Sequence, residues 1–100
     1  MPKGYWIVRG EVSDPEGYKA YLAGNAEAFG KYGARFLVRG GAFEPVEGES
    51  KSRNVVIEFK DYATALACYR SPEYQANIKV RLPHSAAELI IIEGYDGPQP

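Results

Sequence analysis

The chain has 100 residues, of which 45% are hydrophobic and 25% charged, and its formal net charge is -1. These values are ordinary for one soluble globular domain and argue against disorder. The 12 basic side chains form no run of Lys or Arg, so nothing predicts a nucleic-acid partner. We expect a single domain over residues 1–96, followed by a tail, residues 97–100, whose two prolines cannot donate to a sheet.

Cysteine usage and hydropathy bear on the cellular location. The single cysteine, Cys68, rules out an internal disulfide framework, which fits a reducing cytoplasm. The longest apolar run near the C-terminus, residues 89–92, is far shorter than a membrane span. The N-terminus leads into a strand-like segment without a signal-peptide pattern. The expected location is therefore cytoplasmic, without membrane contact.

The first elements are a strand and a helix. Residues 5–12 are rich in aromatic and β-branched side chains, which is typical of a strand. Ser13 or Asp14 can cap the helix that follows, because either side chain accepts from the free amides of a first turn. Apolar positions then recur at helical spacing until Gly30 and Gly33 end the helix.

Two further strands follow this helix. Residues 34–40 and 53–59 have strand composition, and residues 42–46 either extend the earlier strand or fold over it. Residues 47–52 form a polar turn between them.

A glycine inside a helix is costly, so Gly24 in the first helix predicts a close approach of another backbone.

The last third of the chain contains helix and then strand. Asp61 caps a second helix that ends near Arg70, and Ser71 caps a short helix that continues to about Val80. Residues 87–94 form the last strand. The order is β-α-β-β-α-β, which predicts an α+β, ferredoxin-like fold with a four-stranded antiparallel sheet and helices on one face.

The strands are apolar at successive positions, although a sheet with one wet face should alternate apolar and polar residues. Residues 55–57 and 89–92 contain only Val, Leu and Ile. Since helices cover one face only, the other face would be an apolar patch large enough to imply an interface. We expect a second copy of the chain to cover it, giving a homodimer through the sheet.

Several segments also carry a family resemblance. They are residues 32–41, residues 55–59, residues 69–75, the opening Tyr5-Trp6 and the closing Glu93-Gly94. Through them nearly the whole chain resembles the DUF1330 family, a domain of unknown function. The resemblance implies the dimeric α+β barrel superfamily, in which two ferredoxin-like sheets close face to face. Relatives in that superfamily include cofactor-independent quinol monooxygenases, muconolactone-isomerase-like enzymes, haem-binding members and ligand-sensing domains, so the resemblance supplies no mechanism.

Charged residues inside apolar strands are candidates for chemistry, because a buried charge needs a partner or a wet pocket. Arg9, Arg39, Glu58 and Glu93 occupy such positions. Arg39 and Glu58 lie on adjacent strands and meet if they share a face, which depends on the register. One interpretation is an arginine that holds a substrate oxyanion, with Glu58 as base or orienter. The alternative is a structural ion pair.

His84, the only histidine, is a candidate general acid or base on the loop before the last strand. The alternative is a solvated surface side chain. One histidine and one distant cysteine do not form a recognisable metal site. Cys68 lies among apolar residues of a helix, which favours a core position over a nucleophile.

Eight tyrosines in 100 residues suggest an aromatic-walled pocket. Tyr18, Tyr21 and Asn25 share one face of the first helix, and Tyr62 and Tyr69 lie on the second. Hydroxyls and an amide in an aromatic wall suit a flat, partly apolar ligand. The alternative is that the tyrosines fill the core.

No nucleotide-binding, zinc-protease, redox-cysteine or nucleophile-elbow motif is present. We therefore hypothesise a small-molecule enzyme without cofactor or metal, similar to a monooxygenase or an isomerase, acting on an aromatic or enolic substrate in a pocket between helices and sheet. A non-catalytic, metabolite-binding or structural homodimer is the alternative. The candidate catalytic residues are Arg39, Glu58 and His84, and the candidate substrate-binding residues are Tyr18, Tyr21, Asn25, Tyr69 and Arg9.

Overall fold

The computed structural model describes residues 2–100, and the expected element order is confirmed. The elements are β1 (Gly4–Val12), α1 (Pro15–Tyr32), β2 (Arg35–Arg39), β3 (Arg53–Phe59), α2 (Tyr62–Arg70), α3 (Pro72–Arg81), a short 3-10 turn (Leu82–His84) and β4 (Ser85–Glu93). All strand pairs are antiparallel, and the order across the sheet is β2-β3-β1-β4. This is the ferredoxin-like α+β architecture.

Short polar side chains fix the helix starts. Asp14, one of the two predicted caps, accepts a hydrogen bond from the Gly17 amide at 3.2 Å. The side chain of Asp61 accepts a hydrogen bond from a backbone amide in the first turn of α2, and that of Ser71 accepts one in the first turn of α3. Gly33 ends α1 at φ 67°, in the left-handed region that favours glycine.

Two boundaries differ from the expectation. Residues 42–46 neither extend β2 nor pack over it, because Gly40 turns the chain at φ 65° directly after Arg39. The chain is tied back to the sheet towards the end of the loop, where the Ser52 amide donates to the Glu11 carboxylate at 2.8 Å. β4 begins at Ser85, two residues before the expected strand, because it pairs with β1 as far as Val12.

Trp6 is the centre of the core on the helical side of the sheet. It is 1% exposed, and its ring lies 4.9 Å from that of Tyr74 and 5.3 Å from that of Phe29. The indole N–H donates to the Ala65 carbonyl at 2.9 Å. Cys68 is also buried, as expected, and burial raises the pKa of its thiol to about 12. The thiol therefore stays protonated and unreactive at neutral pH.

The opposite face of the sheet is the apolar surface expected from the strand sequences. The strand register places Val38, Val56, Ile7 and Ile90 in one row across all four strands, on the face away from the helices. Ile90 is 54% exposed and Val38 43% exposed. We call this surface the open face.

Within residues 2–100, no helix has the length and apolar character needed to cross a membrane.

The neighbour of Gly24 is a side chain, not the backbone expected from the sequence. A Cβ at this position would clash with the Oδ1 atom of Asn77. The Asn77 amide is fixed there because its Nδ2 donates to the Tyr21 carbonyl at 2.9 Å and to Asn25 Oδ1 at 2.8 Å. Gly24 thus admits the polar contact between α1 and α3.

Because of this contact, we expect Gly24 and Gly30, which both lie on α1, to differ in how replacement by alanine changes the stability of the protein. Gly24→Ala should lower the free energy of unfolding by about 1–3 kcal/mol, because Asn77 must give up its hydrogen bonds or α3 must shift. Gly30→Ala is the matched control: nothing lies near its Cβ, and alanine should be neutral or stabilising by up to about 1 kcal/mol. Urea unfolding followed by circular dichroism measures both, and equal effects would contradict the assigned role of Gly24.

Candidate functional site

A cleft lies between α1 and the helical face of the sheet. Its cavity volume is about 30 Å³, and the space between the surrounding atoms, open solvent at the mouth included, is about 340 Å³. Six of its lining residues are buried, namely Trp6, Tyr21, Asn25, Phe29, Val55 and Ile57. The other five keep partial exposure and form the mouth, namely Val8, Tyr18, Leu22, Phe36 and Arg53.

The buried end of the cleft carries polar groups in an otherwise aromatic wall. The hydroxyls of Tyr21 and Tyr74 lie 2.6 Å apart, and Asn25 accepts from Asn77. Burial raises the pKa of both phenols, so both stay neutral at physiological pH. Since one of the two hydroxyl protons lies between the phenols, the other is available for donation. Tyr21 and Asn25 face the cleft together because they are four residues apart on α1.

The mouth of the cleft is flanked by two arginines. The guanidinium of Arg53 lies 5.9 Å from the ring centre of Tyr18, and that of Arg39 lies 4.2 Å from the ring centre of Phe36. In the register, Arg39 pairs with Val55, whose side chain is buried under the helices. Arg39, Phe36 and Arg53 are therefore on the helical face of the sheet. This end of the cleft is positively charged.

The structure brings together part of the predicted site. Tyr18, Tyr21 and Asn25 line the cleft. Arg39 lies at its rim, where its guanidinium packs on the ring of the lining residue Phe36. Tyr69 does not line the cleft: its ring packs 5.8 Å from Trp6 and 5.4 Å from Tyr74 in the core behind it.

Glu58 lies on the open face and does not meet Arg39. It pairs across the strands with Arg35, whose Nη1 is 4.0 Å from Glu58 Oε1, and it accepts a hydrogen bond from the Tyr5 hydroxyl at 3.3 Å. The side chain of Glu58 keeps 18% exposure. It is thus part of a polar group beside the apolar row, separated from the cleft by the sheet.

Arg9 also lies on the open face, because its strand partner Asn54 alternates with the buried Val55. Its Nη2 donates to the Glu49 carbonyl at 3.2 Å. This contact ties the end of the β2–β3 loop to the sheet, away from the cleft.

His84 packs against the start of α1. Its Nδ1 lies 3.1 Å from Asp14 Oδ2, its ring would clash with a Cβ at Gly17, and its carbonyl accepts from the Ser13 and Asp14 amides. The imidazole is 28% exposed and is not among the side chains that line the cleft.

Eight of the eleven lining residues were not among the predicted site residues, and Arg53 is the charged one among them. On β3, Arg53 shares a face with Val55 and Ile57, because every second residue of a strand points to the same side. This period of two was the available signal for a charge on the helical face. Across residues 2–100, no group of three His, Cys, Asp or Glu side chains converges to hold a metal ion.

Several solved structures share the fold. A protein of unknown function from Rhodopseudomonas palustris is 16% identical, with a TM-score of 0.74 over 96% of this chain and 85% of that one. SnoaB, a cofactor-independent oxygenase from Streptomyces nogalater, is 15% identical, with a TM-score of 0.65 over 100% and 97%. A dimeric ferredoxin-like protein of unknown function from Thermobifida fusca is 13% identical, with a TM-score of 0.62 over 92% and 91%.

At these identities the likeness concerns the fold alone. No curated protein matches the chain. The family model described as Domain of unknown function (DUF1330) matches residues 3–95, nearly the full length. The chain therefore belongs to the DUF1330 family.

Proposed function

We propose that the protein is a homodimeric, cofactor-independent enzyme that acts on a small aromatic or enolic substrate in the cleft between α1 and the sheet. The observation that carries this proposal is the cleft itself: an aromatic wall with a neutral phenol and an amide at its buried end. Such a wall holds a flat ring, and the polar end orients one oxygen atom of that ring. The cavity volume of about 30 Å³ admits roughly one or two water-sized atoms, so the ring lies in the mouth.

The polar end suits a substrate whose oxygen becomes negatively charged. Tyr21 is neutral and buried, and with Tyr74 as the donor in the phenol pair, the Tyr21 hydroxyl donates to an enolate or phenolate oxygen without first losing its own proton. Asn25 supplies an amide dipole beside it. Because these donors are fixed by Tyr74 and Asn77, they need little reorganisation when the charge develops.

Among residues 2–100, no carboxylate or imidazole lines the cleft, so in this proposal the substrate's own acidity supplies the anion. An electron-rich carbanion of this kind reacts directly with dioxygen. In the balanced reaction a CH₂ group becomes C=O, one oxygen atom enters the product and the other leaves as water. The substrate supplies all four electrons, and no cofactor is consumed. The fold shared with SnoaB, whose name describes a cofactor-independent oxygenase, is compatible with this chemistry.

Proton transfer by Glu58 or His84 remains a prediction. Neither side chain lines the cleft, so either would act only after the dimer or a bound substrate brings it closer. For Arg39 the proposed role is to hold negative charge at the rim. Arg9 and Tyr69, predicted to bind substrate, contact other parts of the molecule and have no proposed contact with the ring.

The open face supports the homodimer. In a single chain Val38 and Ile90 of its apolar row are exposed and Val56 and Ile7 are partly buried, and a second copy related by a two-fold axis would bury all four. The Thermobifida fusca structure that shares this fold is described as dimeric, which supports the same assembly here.

A thermal-shift screen of small phenols, quinols and enolic acids tests ligand binding, because a ligand of the folded state raises the melting temperature. Oxygen consumption with each hit, without added metal or cofactor, then tests turnover. Tyr21→Phe should lower kcat by about 100-fold, as expected for loss of one donor to a developing oxyanion.

Tyr32→Phe, on the same helix but outside the cleft, is the matched control and should leave kcat unchanged. A hit that binds in the cleft without any turnover would instead support the non-catalytic, metabolite-binding homodimer, which the absence of a base from the lining favours. A screen without hits would contradict both.

A further inference from the structure

Two arginines are neighbours on the helical face at the mouth of the cleft. Arg39 pairs with Val55, and Arg53 is two residues before Val55 on the same strand, so the two are diagonal neighbours whose Cα atoms are typically about 7–8 Å apart. A Cβ on Gly40, the residue after Arg39, would lie 3.0 Å from Arg53 Nη1. The Arg53 guanidinium therefore lies against the chain where it leaves Arg39.

Neither guanidinium has an anionic partner in the part of the chain that the structure describes. Over residues 2–100, no carboxylate oxygen lies within 4.0 Å of Arg39 or Arg53, and neither side chain donates a hydrogen bond to the protein. Other strand arginines do have partners: Arg35 has Glu58, and Arg9 has the Glu49 carbonyl. Two like charges side by side repel each other, and a shared anion would offset that repulsion.

The two charges are directed to the same opening. Each guanidinium contacts a ring of the mouth, Arg39 at Phe36 and Arg53 at Tyr18, so a ligand ring that enters between these aromatic side chains meets both cations. The polar groups of Tyr21 and Asn25 lie at the other, buried end. The cleft is therefore positive at its mouth and neutral and hydrogen-bonding at its floor.

We infer that Arg39 and Arg53 together bind a carboxylate of the ligand, so that the substrate is a planar aromatic or enolic carboxylate. This inference rests on the proposed function of the cleft and specifies its substrate class. The carboxylate accepts from the two guanidinium groups at the mouth, and the ring extends inward between Tyr18 and Phe36. Arg39 and Arg53 act here as specificity-determining residues.

The test compares two probes of equal shape and different charge, 2-naphthoate and 2-naphthamide, by isothermal titration calorimetry at pH 7. The wild-type protein should bind the carboxylate about 10-fold more tightly than the amide, because a charge-assisted contact adds to the shared ring contacts. Arg39→Gln and Arg53→Gln should each reduce this ratio, and the double variant should bring it near one. Arg53→Lys keeps the positive charge but loses the planar guanidinium group, so it should retain part of the preference that Arg53→Gln loses.

Arg35→Gln is the matched control, since Arg35 lies on the same strand as Arg39 but faces Glu58 on the open face. It should leave the ratio as in the wild type. Equal binding of both probes to the wild-type protein would overturn the carboxylate inference and leave the cleft as a site for neutral rings. A preference that survives in the double variant would overturn the assignment to these arginines. Failure of both probes to bind, together with a screen without hits, would overturn the proposed function itself.

Discussion

Val56→Asp is expected to convert the proposed homodimer to a monomer. Val56 lies in the centre of the open face, between Val38 on one side and Ile7 on the other. A carboxylate at this point would be removed from water in a sheet-to-sheet interface without a partner, which costs several kcal/mol. We expect the dissociation constant to rise at least about 1,000-fold, as is seen when the centre of an interface is disrupted. Sedimentation velocity at micromolar concentration measures the change.

The same substitution at Val80 provides the control. Val80 is 37% exposed on α3, on the helical side of the molecule, so Val80→Asp should leave the dimer intact. The assembly proposed here is contradicted if the wild-type protein sediments as a monomer, or if both variants remain dimeric. Because Val56 faces away from the helices, both variants should retain the far-ultraviolet circular dichroism spectrum of the wild type.

Trp6→Ala should lower the free energy of unfolding by about 3–5 kcal/mol, the largest stability effect we expect of a single substitution. The ring is 1% exposed and contacts Phe29, Phe59, Tyr69 and Tyr74, so its removal leaves a cavity between aromatic side chains. It also leaves the Ala65 carbonyl without its indole donor. Urea unfolding measured by circular dichroism gives the value.

Trp6→Phe separates the two contributions. It keeps an aromatic ring and removes the N–H, so it should cost only about 1–2 kcal/mol. Added indole should restore part of the stability of Trp6→Ala, because an apolar cavity binds a flat aromatic molecule of matching size. A cost below 1 kcal/mol for Trp6→Ala would show that the core is not centred on this ring.

Local chemistry made much of the fold predictable. The caps at Asp14, Asp61 and Ser71 depend only on neighbouring residues, and the strands depend on composition. The apolar character of both sheet faces was also visible, because successive Val and Ile residues must point to opposite sides of a strand. These features need no knowledge of long-range contacts.

The loop after β2 was harder to predict. Residues 42–46 include Phe43 and Val46, whose side chains suit a strand, but the positive φ of Gly40 turns the chain away from the sheet. The close neighbour of Gly24 was predictable in part: the sequence indicated that space was needed there, but not that Asn77 would fill it.

The candidate site was predictable where it depends on one helix and not where it depends on strand register. Tyr18, Tyr21 and Asn25 share a face because they are three and four residues apart, and they do line the cleft. The relation of Arg39 to Glu58 depends on a β-bulge between Phe36 and Val38, which shifts the register and pairs Arg39 with Val55. That irregularity places Arg39 beside Arg53 and leaves Glu58 on the other face with Arg35.

The indole N–H resonance of Trp6 provides the most direct measurement of the central claim, that the cleft between α1 and the sheet is the ligand site. Trp6 is the only tryptophan and forms part of the cleft floor, so the signal is unique and local. On titration with the compound that most raises the melting temperature, this resonance and the Asn25 side-chain amide should shift and saturate together at one equivalent per chain. Saturable binding that leaves both unmoved, while backbone amides of Ile7 and Val56 shift, would contradict the claim and assign the ligand to the open face.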